Sequence, residues 1–343
     1  DQHGWKSNHT IIEIIVRDMP FLVDSLRIGL SRLGVAPHLM LNCALNLVRK
    51  DNKITALAAS GKSIKQTSTE SVFFIEIDRQ CEQSVIDHIT QELADIVNDV
   101  TLTVDDWQPL KKQLADVIDE VKQTQLPCEQ DERASALDLL TWVLNNNFTL
   151  MGYRRYNVKM IKGDVALQAD MNSSLGLMKQ SKPSEDRLLS SLCESARELA
   201  MGKNLLILTK ANSKSRVHRP AYLDYIGIKR FNDKGQVIGE DRFIGLYGSA
   251  LYTASVQTLP LIKDKVLTVC EASGFLANSH SYKTLINILE TFPRDEILQS
   301  STHDLLKTVL GIYRMQERDY SGLFVRKDAF NRFYSCLVYS SLI

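Results

Sequence analysis

Apolar residues in this chain switch repeatedly between two spacings, and each switch marks an element. Ile11-Ile12-Glu13-Ile14-Ile15-Val16 is a β-rich run closed by Asp18-Met19-Pro20. From Phe21 the spacing changes to three and four, with Leu22, Leu26, Leu30 and Leu33 on one stripe, which predicts a helix ended by Gly34. Asp18 is placed to cap that helix, and Pro20 suits its first turn, where a missing N–H costs nothing. Ala36 to Arg49 reads as a strand, Lys50 to Lys53 as a turn, and Ser60 to Thr69 as a polar loop. Ser71 to Ile77 is a third strand. Gln83 to Val97 is an amphipathic helix, and Val100 to Val104 a short fourth strand. The order β-α-β-β-α-β over residues 1–105 predicts a ferredoxin-like α+β sheet with both helices on one face. A helix over Asp106 to Lys122 then forms a linker, 106–127.

Residues 128–262 read as a second α+β module. Glu132 to Asn145 and Ser184 to Met201 have helical spacing; Phe148 to Val158 and Leu205 to Leu208 read as strands. Ala221 to Phe231 and Gln236 to Tyr247 form a hairpin around Asn232-Asp233-Lys234-Gly235. Over 263–318, three helices follow: Leu261 to Ala272, Ser281 to Phe292 and Thr302 to Glu317. Leu323 to Arg326 and Phe333 to Tyr339 then begin strands in 319–343, and two strands alone make no stable sheet. A cut fragment, or a sheet completed elsewhere, is expected.

Composition narrows the classes. At 343 residues, with 44% hydrophobic and 24% charged residues, the chain is an ordinary globular protein of several domains. Forty-one basic residues cancel 41 acidic ones, which speaks against a nucleic-acid binder. No apolar run is long enough to cross a membrane. The six cysteines are scattered without a CxxC pair, so neither a zinc site nor a dithiol is implied, and reduced thiols in a cytoplasmic protein are expected. No GxGxxG, GxxxxGK[ST], GxSxG or HExxH occurs. Asp105-Asp106 and Glu240-Asp241 are adjacent pairs whose side chains point apart. No catalytic constellation can be read from these residues.

Two segments could bind a ligand. Where small sensing domains have a turn between first strand and first helix, backbone N–H groups can meet an amino acid's carboxylate. Here Arg17, Asp18, Asp24 and Ser25 stand in or next to that turn, against the plainer reading of a surface pair and a helix cap. The second segment lies within Leu199 to Leu223, which lacks any acid but holds Lys210, Lys214, Arg216, His218 and Arg219. It would hold an anion by charge-assisted bonds, or pair with acids such as Asp224, Glu240 or Asp241.

Several blocks resemble the large NAD-specific glutamate dehydrogenases of bacteria. They are Arg17 to Ser25, Asn147 to Tyr153, Leu205 to Gly227, Arg242 to Tyr247, Glu290 to Glu296 and Leu323 to Asp328. The blocks run in the expected order from residue 9 to about 339, and residues 340–343 do not resemble the family's continuation. The resemblance implies NAD-dependent oxidative deamination of L-glutamate to 2-oxoglutarate and ammonium by the intact enzyme. It implies that NAD and the catalytic groups lie outside this segment. It implies an amino-terminal array here: an ACT-type domain, a PAS-type domain, a helical connector and the start of a second ACT-type domain. Homo-oligomerisation and an amino-acid effector are expected of such an array. The alternative is a stand-alone amino-acid-sensing module without catalysis.

Overall fold

A computed structural model describes residues 4, 6–50, 53–57, 67–161, 163–181, 187–316 and 320–340. The centre of the expected turn at 50–53 and most of the expected polar loop at 60–69 lie outside the described residues. The chain divides into two units, Asp1–Asp105 with Lys214–Ala221, and Asp106–Ser213 with Tyr222–Ile343. The short segment at 214–221 thus groups with the first unit, although its sequence lies inside the stretch read as the second module.

The first unit contains β1 (Thr10–Arg17), α1 (Leu22–Arg32), β2 (Pro37–Lys50), β3 (Lys53–Leu57), β4 (Thr67–Ile77) and α2 (Gln83–Asp105). Its sheet is antiparallel, in the order β1-β4-β2-β3. Ile12 stands opposite Ile75 and Ile14 opposite Phe73. Phe73, Ile75 and Ile77 are fully buried, as are Leu26 and Leu30 of α1 and Ile96 of α2. The helices meet at Gly29, where a Cβ would run into the Ile96 side chain.

The expected strand at Val100 to Val104 is instead the end of α2. Its β-branched residues favour strand locally, but the stripe Ile89, Leu93, Ile96, Val100, Thr103 stays buried at helical spacing. Thr101 and Thr103 donate their hydroxyls to the carbonyls of Val97 and Asp99, at 2.7 and 2.9 Å, so both hydroxyls find acceptors within the helix. The element order is therefore β-α-β-β-β-α. The fourth strand is β3, the far half of a hairpin with β2.

The second unit begins with α3 (Trp107–Gln123) and α4 (Gln130–Trp142), which ends in a π turn with Asn146 in left-handed backbone. Its sheet comprises β5 (Phe148–Ile161), β6 (Asp164–Gly176), β7 (Arg187–Leu188), β8 (Leu206–Lys214), β9 (Tyr222–Phe231) and β10 (Val237–Tyr247), in the order β7-β6-β5-β10-β9-β8. Ser184 to Met201 is helical only in α5 (Glu194–Met201) among the described residues, because Arg187 and Leu188 pair with Leu167 and Ala166 of β6. A short α6 (Ser249–Thr253) precedes α7 (Ile262–Ala272), α8 (His280–Thr291), α9 (Arg294–Gln299) and α10 (Thr302–Met315). Leu285, Leu289, Leu305 and Val309 join residues from α3, α4 and β10 in one core. β11 (Ser321–Lys327) and β12 (Tyr334–Ser340) form the two expected strands, paired only with each other among the described residues.

Candidate functional site

Segment 214–221 is a knot of short hydrogen bonds. Ser215 N donates to Ala221 O at 2.8 Å, Ser215 Oγ to Val217 O at 2.7 Å, and Arg219 N to Val217 O at 2.9 Å. This leaves His218 in left-handed backbone, with φ of 69°. Phe21, which precedes α1, is left-handed too, at 73°. The two rings pack at 5.0 Å. Each such residue costs of order 1 kcal/mol, held by its surroundings. Ser25 does the holding here: its buried hydroxyl donates to Phe21 O at 2.6 Å and accepts from His218 N at 3.1 Å.

Beside this contact an open cleft of about 440 Å³ is lined by Asp24, Arg27, Ser31, Arg32, His218 and Arg219, with Ile28 and Pro220. It holds a carboxylate, guanidinium groups and an imidazole whose Nδ1 is buried without a hydrogen-bond partner among the described residues. Two segments nearly 200 residues apart thus line one concave surface. Arg27, Ser31 and Arg32 do not figure among the residues singled out from sequence. Their signal is present there all the same, since 24, 27, 28, 31 and 32 share one side of α1 at spacings of three and four.

The other singled-out residues do not line this cleft. Arg17 pairs with Asp105 and donates to Met19 Sδ at 3.1 Å. Asp18 does not cap α1; no side chain does, and its Oδ1 accepts from Ser71 Oγ at 2.5 Å. Arg216 Nε meets Asp99 at 2.8 Å, with Glu92 and Asp95 within 4 Å. Burial pushes the Asp99 carboxyl above its ordinary value, and Arg216 opposes that rise. Lys214 is exposed at the end of β8. Lys210 lies in the second unit between Asp224 and Asp295, the latter at 2.8 Å.

That second cluster is centred on buried Asp224, with Lys210 and Asp295 partly exposed, and carries one more acid than base. Burial holds the Asp224 carboxyl up at about 6 although Lys210 adjoins it, and Asp295 adds repulsion. The same two carboxylates hold the Lys210 ammonium above its ordinary value despite burial. Of the alternatives weighed for the basic segment, the Asp224 pairing is the one present. Glu240 instead bonds Tyr225 and meets Arg242 at 3.3 Å, while Asp241 accepts from Tyr153 at 2.6 Å and Arg155 at 2.7 Å. Among the described residues no group of three or more His, Cys, Asp or Glu is placed to hold a metal ion, and no helix is long and apolar enough to cross a membrane.

Comparison with known proteins fits this architecture. Residues 1–93 match the family model described as glutamate dehydrogenase, ACT1 domain, and residues 259–318 the one described as glutamate dehydrogenase, helical motif 1. Among curated proteins, the chain is 35% identical over 343 residues to an NAD-specific glutamate dehydrogenase of Halomonas elongata, and 34% over 340 to one of Pseudomonas aeruginosa. Each alignment takes in 99% of this chain but 21% of the relative. A similarly named protein of Mycobacterium tuberculosis is 24% identical over 337 residues, 96% of this chain and 19% of that protein. The chain thus spans about a fifth of the length of these relatives.

Proposed function

This chain is related over its whole length to the large NAD-specific glutamate dehydrogenases, and on that premise we propose that it is their regulatory and assembly segment. The intact enzyme oxidatively deaminates L-glutamate to 2-oxoglutarate and ammonium with NAD, in the cytoplasm, using catalytic groups outside these residues. Within the segment, the cleft at Asp24 and Arg219 receives an amino-acid effector. The observation that carries this reading is that one cleft is lined by a carboxylate and by several cationic side chains. Asp24 suits an ammonium group. The guanidinium groups of Arg27 and Arg219 suit a carboxylate through charge-assisted bonds, while Arg32 meets Glu92 at 3.3 Å.

The second unit is of PAS type in this reading. Support comes from its five longer strands, whose order β6-β5-β10-β9-β8 is 2-1-5-4-3 when they are counted along the chain. Residues 106–127 link the two modules, 263–318 form the helical connector, and β11 and β12 begin a second ACT-type sheet. The segment assembles with copies of itself.

Thermal unfolding with each of the twenty amino acids tests the effector site. A ligand at 100 times its dissociation constant adds about 2.7 kcal/mol to stability. The expected result is a rise in midpoint with at least one amino acid, abolished by Asp24→Asn and by Arg27→Ala. A flat panel across all twenty refutes the effector role.

A further inference from the structure

The free edge of the first sheet is a long strand with apolar residues on both faces and one charge of each sign. β1 ends the order β1-β4-β2-β3, and among the described residues no strand pairs with its outer side. Its eight residues, Thr10–Arg17, include no Lys or Pro, and its charged residues are Glu13 and Arg17. Ile12, Ile14 and Val16 make one face apolar, while on the other Ile11 and half-exposed Ile15 alternate with Glu13 and Arg17. Terminal strands are ordinarily kept from pairing by charge, proline or brevity. The opposite edge obeys that rule: β3 has five residues, begins on Lys53 and is exposed throughout.

Beside β1 a groove of about 570 Å³ opens towards α2, lined by the strand and by Ile86, Ile89, Thr90, Leu93, Ala94 and Val97. It is open because α2 continues to Asp105 and α3 starts at Trp107, so no strand returns from α2 to cover β1.

We propose that a second copy of this chain covers it, β1 pairing antiparallel with the partner's β1 about a two-fold axis through Ile15. Side chains directly opposite in such a pair share a face. Both helical layers fall on the same side of a continuous sheet only when even-numbered residues face even and odd face odd. An axis at Glu13 sets two carboxylates against each other, and one at Ile14 sets Glu13 against an isoleucine. The axis at Ile15 sets Glu13 against the partner's Arg17 twice, and Ile14 against the partner's Val16 twice. Opposite charges across strands favour a register and like charges oppose it. Arg17 is half-exposed, so it can reach a partner strand from its place near Asp105. The contact is the same patch on both copies, so it closes at two. It rests on the assembly half of the reading above and gives that half a surface.

Light scattering and sedimentation velocity on the 343-residue chain test it. The wild type is expected to dimerise. Glu13→Arg and Arg17→Glu alone each weaken dimerisation by about tenfold or more, and the double variant restores it. Ile15→Lys, at a half-exposed position, leaves the far-ultraviolet circular dichroism unchanged and gives monomers. A wild type that associates equally well in all these variants overturns the β1 contact while leaving assembly standing. A wild type that stays monomeric at every concentration overturns both.

Discussion

Replacing Arg216 by alanine is expected to loosen the first unit from within. Its guanidinium stands 2.8 Å from Asp99, with Glu92 at 3.6 Å and Asp95 at 3.8 Å. These acids share one side of α2 at spacings of three and four, so each repels the others. The Asp99 side chain is 9% exposed. Leaving a carboxylate that buried without its cation costs about 3–5 kcal/mol if it stays charged. It can escape by taking up a proton, and moving its titration by one pH unit is worth about 1.4 kcal/mol. The expected loss near pH 7.5 is therefore about 2–4 kcal/mol. The sign of the pH effect follows from an acid whose folded value lies above its unfolded one. The folded state holds the proton more tightly, so the variant regains stability as pH falls towards 5.

Calorimetry at pH 7.5 and 5.5 reads the size of the effect. For a unit of about a hundred residues each kcal/mol moves the midpoint by about 4–8 °C. Hydrogen exchange over 83–105 and 214–221 reads its place, since both segments lose protection if the ion pair holds them together. Arg216→Met with Asp99→Leu recovers most of the loss, because the most buried of the three carboxylates then goes with its cation, and Glu92 keeps Arg32 at 3.3 Å. A single variant within about 0.5 kcal/mol of wild type, the range of ordinary surface substitutions, would refute the reasoning. So would a loss that grows as pH falls.

Two further outcomes follow from the second unit. Asp295→Asn removes the carboxylate that repels Asp224, so the Asp224 carboxyl should fall below about 6. An acid raised in the fold weakens it as pH rises through that value, so the wild type loses stability between pH 5 and 7.5. The variant's urea midpoint should fall less over that range; an unchanged profile counts against the coupling. Lys265 Nζ donates to the carbonyls of Ile297, Leu298 and Ser300, at 3.1, 2.7 and 2.9 Å, and so caps α9. Lys265→Met leaves those acceptors unmet and should cost about 1–3 kcal/mol. Burial pulls this ammonium down to about 8, so folding favours the neutral amine and the wild type gains stability as pH rises from 8 to 10. Urea midpoints at pH 7.5 and 9.5 check whether Lys265→Met removes that gain.

Much of this architecture is legible along the chain, and the exceptions have identifiable causes. Stripes such as Leu305, Val309 and Ile312 repeat with the helical period, so α10 is found within two residues of its ends. The hairpin at Asn232 to Gly235 announces itself by four polar turn residues between apolar runs. α9 leaves no such trace, because six residues after Pro293 are too few to show a period. The end of α2 reads as strand because Val100, Thr101, Thr103 and Val104 favour strand when judged alone. In the fold, a continuous buried stripe outweighs that preference.

The cleft divides the same way. Sequence alone determined that Asp24 and Ser25 follow a strand-to-helix turn, and that basic residues gather from Lys203 to Arg219 without an acid among them. Both are local facts, carried by neighbours in the chain. Only the tertiary structure decided that His218 and Arg219 stand beside Asp24, while Arg216 is spent on Asp99 and Lys210 on Asp224 and Asp295. Charge does not say which opposite charge it will meet. Packing does, through Ser25, whose single hydroxyl bonds Phe21 one turn back and His218, 193 residues further along the chain.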